Sequence, residues 1–131
     1  MAGLGGVGLA LLDGSYAISR FGPGDEIPPW AETGPGAVLS ITRTAEELSV
    51  VCAEELVPGD VDASRGWGAL RVRSRLDHSL TGVLASIATP LAAAEVPIFT
   101  ISTFDTDYVL FPCQRLEEAV EALEHAGHTF H

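Results

Sequence analysis

Ser102, Thr103, Phe104, Asp105, Thr106 and Asp107 crowd hydroxyls and carboxylates into one short stretch, ISTFDTDY, between two apolar runs. Upstream, Gly82 opens the apolar segment GVLASIATPLAAA, which reads as a helix whose start is relieved of a side chain. A helix start presents unpaired N–H groups and a partial positive charge, which suits a carboxylate. A polar hairpin tip presents carbonyl oxygens and carboxylates, which suit an ammonium. Together these are the two halves of a site for a small zwitterion, and the chemistry they describe is binding. Gly82 lets a ligand come close to the backbone, and Asp105 or Asp107 can accept a cationic or hydrogen-bonding group. The same Ser, Thr and Asp residues also serve the local bonds of a tight turn.

Catalytic readings of the chain are weaker. Asp105 and Asp107 form a D-x-D pair, but metal-dependent transfer needs more oxygen ligands and a nucleotide-binding fold around them. His125, His128 and His131 recur at a spacing of three, yet Gly127 interrupts the helix that would align them on zinc. A histidine favoured by the helix dipole, followed by a frayed tail, is the plainer expectation. His78 and Ser79 are adjacent without any triad context. Gly3, Gly5 and Gly8 fit the spacing of a dinucleotide fingerprint, but that motif needs a strand before it and a helix after it, and strand-like sequence follows here. All 7 basic residues are Arg, so Schiff-base lysines and a P-loop lysine are excluded. The expectation is no enzyme, no cofactor and no metal.

The 131 residues have room for one ordinary domain or two very small ones, and 47% hydrophobic content is enough for a core. A formal charge of −11 repels nucleic acid and anionic membranes at long range. Cys52 and Cys113 lie in the apolar runs VVC and LFPC and read as reduced, buried thiols. The first residues make a poor signal peptide and no stretch approaches the length of a bilayer span, so the expected location is the cytoplasm.

The positioning elements follow from periodicity. LALLDGSYAISRF reads as strands around an Asp13-Gly14 turn, and GPGDEIPPWAETGPG as a loop anchored by Trp30 with at most one helical turn near Pro29. AVLSITRT and ELSVVCAEE read as paired strands, and a boundary falls near Ser64 to Gly66. From Trp67 the order is strand, helix, strand, strand, helix, strand. The first helix carries Leu80, Leu84, Ile87 and Leu91, with Asp77 or Ser79 as N-cap, and Pro90 is expected to bend or shorten it. The second carries Leu116, Ala119, Val120 and Leu123, and ends at Gly127. This order is the split β-α-β unit of an α+β, ferredoxin-like fold, an antiparallel sheet with helices on one face. The first half repeats it with weaker helices.

GVLASIATPLAAAEVPIFTISTFDTDYVLF, followed by EALEHAGH, resembles the ACT domain, in the branch of small bacterial tandem-ACT proteins related to aspartokinase regulatory regions and to arginine-sensing ACT proteins. LSVVCAEELVP and RGWGALRV also look like that branch. The resemblance implies tandem modules, a degenerate ACT-like one with reduced helices over 1–65 and an ACT domain over 66–131. It implies a non-catalytic regulatory protein that binds a small amino acid at the seam between modules, through Leu80, Thr81, Gly82 and Val83 at the helix start and Thr103, Phe104, Asp105 and Asp107 at the strand end. Phe104 and Asp107 fall where the arginine sensors keep a Phe and an Asp. The acidic residue those sensors carry before the helix-start glycine has no match here, because Leu80 and Thr81 precede Gly82. The implied partners are the amino acid, a homodimer mate and a regulated protein that the residues do not identify. A ligand-free homodimerisation or protein-interaction module is the alternative.

Overall fold

The computed structural model describes residues 6–73 and 82–131. Among them run eight strands and two helices, in the order β1 (Gly8–Leu11), β2 (Tyr16–Phe21), β3 (Ser40–Arg43), β4 (Leu48–Ala53), β5 (Ala63–Val72), α1 (Val83–Ala93), β6 (Phe99–Ser102), β7 (Asp107–Pro112), α2 (Leu116–His125) and β8 (Thr129–Phe130). Single 3-10 turns cover Glu54–Leu56 and Cys113–Arg115. Two compact units divide the chain, one of Asp13–Trp67 and one of Gly68–His131 joined by the segment ending at Leu12. The second unit therefore takes in β1, which lies on the other side of the 65/66 boundary in sequence.

That larger unit has the α+β, ferredoxin-like order β5, α1, β6, β7, α2, β8. Its strands lie in the order β6, β7, β5, β1, β8. β1 pairs antiparallel with β5, Leu9 opposite Val72, and parallel with β8. It does not form a hairpin with β2, which pairs instead with Ala63, Ser64 and Trp67 of β5. Strand alternation puts Leu70 and Val72, and Val109 and Phe111, on the face that the helices cover with Val83, Ile87, Leu91, Ala119 and Leu123.

Both helices end in the same way. In α2, Gly127 donates to the Glu124 carbonyl and His128 to that of Leu123, with Gly127 at φ 101°. In α1, Glu95 donates to Ala92 and Val96 to Leu91, with Glu95 at φ 60° in a conformation that usually selects glycine. These paired bonds satisfy the last carbonyls and stop each helix. Arg115 adds to the α1 end by donating to the carbonyls of Ala94 and Glu95, while two further N–H groups hold Glu118 at 2.6 and 2.7 Å. That bidentate bond holds the Glu118 carboxyl below the usual carboxylate range.

Pro90 does not shorten α1, which continues to Ala93. Proline has no N–H to give to the carbonyl four residues back, so Ser86 O is left without its helical donor. His128 supplies one: its Nε2 lies 2.9 Å from Ser86 O, and its Nδ1 accepts the Val7 N–H at 3.1 Å. A backbone donor on Nδ1 fixes the neutral, Nε2-protonated tautomer. His128 is 4% exposed, and the tail beyond it forms β8, the closing strand expected from the order of elements, and not the frayed end weighed against a zinc site.

The smaller unit orders β3, β4, β2 and the start of β5; β3 pairs with β4 as expected, β2 also pairs with β4, and both pairings are antiparallel. Its core sets Ala17, Leu48, Val50 and Cys52 from strands against Ala31 and Val57 from loops. Among the described residues it has no α-helix. Near Pro29 there is only a turn, with Ala31 N–H bonded to Pro28 O, because successive prolines supply no donors. Trp30 packs on this core with its ring 6.0 Å from that of Phe21. β5 begins at Ala63, earlier than the sequence suggests, across an irregularity in its register with β2. Arg65 leaves that strand to donate to the carbonyls of Val57, Pro58 and Val61, which closes the loop before it.

Candidate functional site

β6 and β7 pair from Phe99 opposite Leu110 to Ser102 opposite Asp107, which places residues 103–106 in the connecting turn. The turn is closed by three bonds. Thr103 N–H and Oγ1–H both donate to Thr106 O, and Thr106 N–H donates to Thr103 Oγ1. Thr106 Oγ1–H then donates to Val72 O at 2.9 Å and ties the tip to the end of β5. Ser102 Oγ–H donates to Asp107 Oδ1 at 2.6 Å, so Asp107 presents a carboxylate whose orientation is set by its strand neighbour. Phe104 is 74% exposed at the tip, beside an exposed Asp105.

Gly82 is the N-cap of α1 at φ 83°, and its carbonyl accepts the first helical bond, from Ser86 N–H at 2.8 Å. A left-handed cap of this kind favours glycine. No side chain caps the helix, so the N-cap is Gly82 and neither Asp77 nor Ser79. The Val83 side chain is buried in the core, which leaves only its backbone to meet a ligand. Leu80, Thr81, Asp77 and Ser79 lie outside the described residues. The structure thus gathers Thr103, Phe104, Asp105 and Asp107 on one hairpin tip and sets Gly82 and Val83 at a helix start in the same unit.

A cleft of about 360 Å³ adjoins the tip, lined by Arg71, Arg73, Thr103, Asp105, Thr106 and Tyr108. The two arginines were not singled out from sequence. Alternation in β5 carried the signal: Val72 faces the core, so the residues on either side face away from it.

Among the described residues no three His, Cys, Asp or Glu side chains group as a metal site. His128 is committed to Val7 and Ser86, away from His131, whose Nε2 lies 3.0 Å from Thr129 Oγ1. Neither cysteine forms a disulfide. Cys52 is buried and its thiol pKa is raised by that burial, but Cys113 is exposed, contrary to the sequence expectation, because β7 ends at Pro112 and the chain turns outward. No helix among the described residues is long and apolar enough to cross a membrane.

A family model described as an ACT domain matches residues 62–125, and a second, described only as an N-terminal domain, matches residues 14–60. A crystal structure of an Agobacterium tumefaciens protein is 36% identical, with a TM-score of 0.90 over 98% of this chain and 94% of that one. The regulatory subunit of aspartate kinase from Thermus thermophilus shares the fold at 13% identity, with a TM-score of 0.56 over 90% of this chain and 96% of that one. The bovine (Bos taurus) cytosolic arginine sensor for mTORC1 subunit 1 is 31% identical over an alignment of 106 residues that covers 72% of this chain and 32% of the sensor. The chain spans about a third of the length of that curated relative. The ordered hairpin, the split β-α-β arrangement and the family match agree: residues 62–125 of this chain belong to the ACT-domain family.

Proposed function

We propose that this chain is a non-catalytic regulatory protein that binds a small amino acid at the seam between two ACT modules, a degenerate one over 1–65 and a complete one over 66–131. The helix-start backbone at Gly82 and Val83, with Leu80 and Thr81, receives the carboxylate. Thr103, Phe104, Asp105 and Asp107 receive the ammonium and flank the side chain. The observation that carries this reading is Asp107, a carboxylate oriented by Ser102 and given no cationic partner among the described residues. It is supported by the likeness to a protein described as an arginine sensor. In this reading the protein works in the cytoplasm, and the ligand stabilises one pairing geometry with a regulated protein over another.

Thermal unfolding of the intact chain with each of the twenty amino acids in turn tests it. At about a hundredfold excess over Kd one ligand is expected to add about 2.7 kcal/mol, several degrees in Tm. Asp107→Asn is expected to abolish that shift while leaving the ligand-free melting intact. No shift with any amino acid, for a chain shown to be folded, removes the reading. One observation favours the alternative of a homodimerisation module: β6 pairs with β7 alone, so its other edge is open among the described residues. A dimer in sedimentation that ignores every amino acid selects that alternative.

A further inference from the structure

The cleft beside the hairpin tip adds a selectivity element to the proposed site. Of the arginines among the described residues, four have structural duties. Arg20 faces Glu47, Arg43 bonds the Pro23 carbonyl, Arg65 bonds three loop carbonyls and Arg115 holds Glu118 and the α1 end. Arg71 and Arg73 differ. Among the described residues their side chains make one hydrogen bond, from Arg71 Nη1 to the Arg73 carbonyl at 3.4 Å, and neither forms an ion pair with a carboxylate. In a chain with a net charge of −11, two guanidiniums with no ion pair among the described residues in one cleft are a local inversion of sign.

The hydroxyls there are already used as donors. Thr103 Oγ1–H goes to Thr106 O and Thr106 Oγ1–H to Val72 O, which leaves the two guanidiniums and the Tyr108 hydroxyl to meet a ligand acceptor. Planar guanidinium forks match a carboxylate. Thr103 and Asp105 belong both to this cleft and to the hairpin tip of the proposed site, so the two adjoin.

Resting on the amino-acid reading above, we infer that the ligand is an acidic amino acid, whose side-chain carboxylate is held by Arg71 and Arg73. Among the described lining residues two guanidiniums face one carboxylate, that of Asp105, an excess of positive charge that complements a side-chain carboxylate and repels a cationic side chain.

Calorimetric titration of the intact chain with L-aspartate, L-glutamate, L-asparagine, L-glutamine and L-arginine decides it. Aspartate or glutamate is expected to bind at least about tenfold more tightly than its own amide, and Arg71→Gln combined with Arg73→Gln to remove that preference, since each lost charge-assisted bond is worth about one order of magnitude in affinity. Circular dichroism of the double variant should match the parent, both side chains lying off the core face. Binding of the amides or of arginine as tightly as of the acids overturns this inference and leaves the amino-acid reading standing. A preference for the acids that survives both substitutions overturns the role of the two arginines. Absence of binding by aspartate and glutamate overturns this inference, and absence of a thermal shift with every one of the twenty amino acids overturns the amino-acid reading with it.

Discussion

The two units solve the same problem, covering one face of a small sheet, by different means. The larger unit lays α1 and α2 on Leu9, Leu70, Val72, Val109 and Phe111, and locks the helices with side chains from outside their own turns, His128 on Ser86 O and Arg115 on the α1 terminus. The smaller unit covers Ala17, Leu48, Val50 and Cys52 with loop residues, Ala31, Val57 and half-buried Trp30, and fixes one of those loops with Arg65. A helix satisfies its own backbone and needs help only at its ends or at a proline. A loop has to be satisfied bond by bond from elsewhere. The candidate site follows the same division, because it uses the helix start and hairpin tip of the unit whose backbone is already fixed.

The largest effect that sharpens this comparison should come from Leu123→Ala, which opens a cavity between α2 and the sheet. It should cost about 3 kcal/mol by denaturant unfolding and reduce helical ellipticity. His128→Leu should cost about 2 kcal/mol, because it strands both the Ser86 carbonyl and the Val7 N–H, and faster amide exchange at Val7 is its signature. Arg65→Ala should cost about 1 to 2 kcal/mol and raise exchange in residues 57–62 without changing helical ellipticity. Loss of helical signal in that variant would break the distinction between the two units. In the native state Cys113 should alkylate quickly, and Cys52 only as fast as its unit opens; mass mapping of one against two labels reads this directly.

The smallest effect concerns pH. Arg115 lowers the folded pKa of Glu118, so the stabilisation from this pair is complete above the ordinary carboxylate value and is lost as pH falls through the lowered one. Side-chain NMR titration should show Glu118 below the usual range, returning to it in Arg115→Gln.

How legible these features were follows from the same physics. Ile87, Leu91, Ala119 and Leu123 announce themselves by period, and the order of elements from Trp67 follows from them. Gly127 announces a helix end, whereas Glu95 in the equivalent place does not, since its left-handed conformation is imposed by the bonds around it. Pro90 argues locally for a shortened helix, and the repair comes from His128, far along the chain. The place of β1 beside β5 and β8 is likewise a long-range pairing that four residues cannot encode alone. At the site, the turn chemistry of Ser102, Thr103 and Thr106 could be read from residue types. The cleft of Arg71 and Arg73 required knowing which face of β5 the core occupies.

The most direct test of the central claim is backbone amide NMR of the labelled chain during titration with the amino acid that gives the largest thermal shift. Saturable shifts centred on Gly82, Val83 and Thr103 to Asp107, lost in Asp107→Asn, are the predicted result. Saturable shifts confined to other parts of the chain, or none at all, would contradict it.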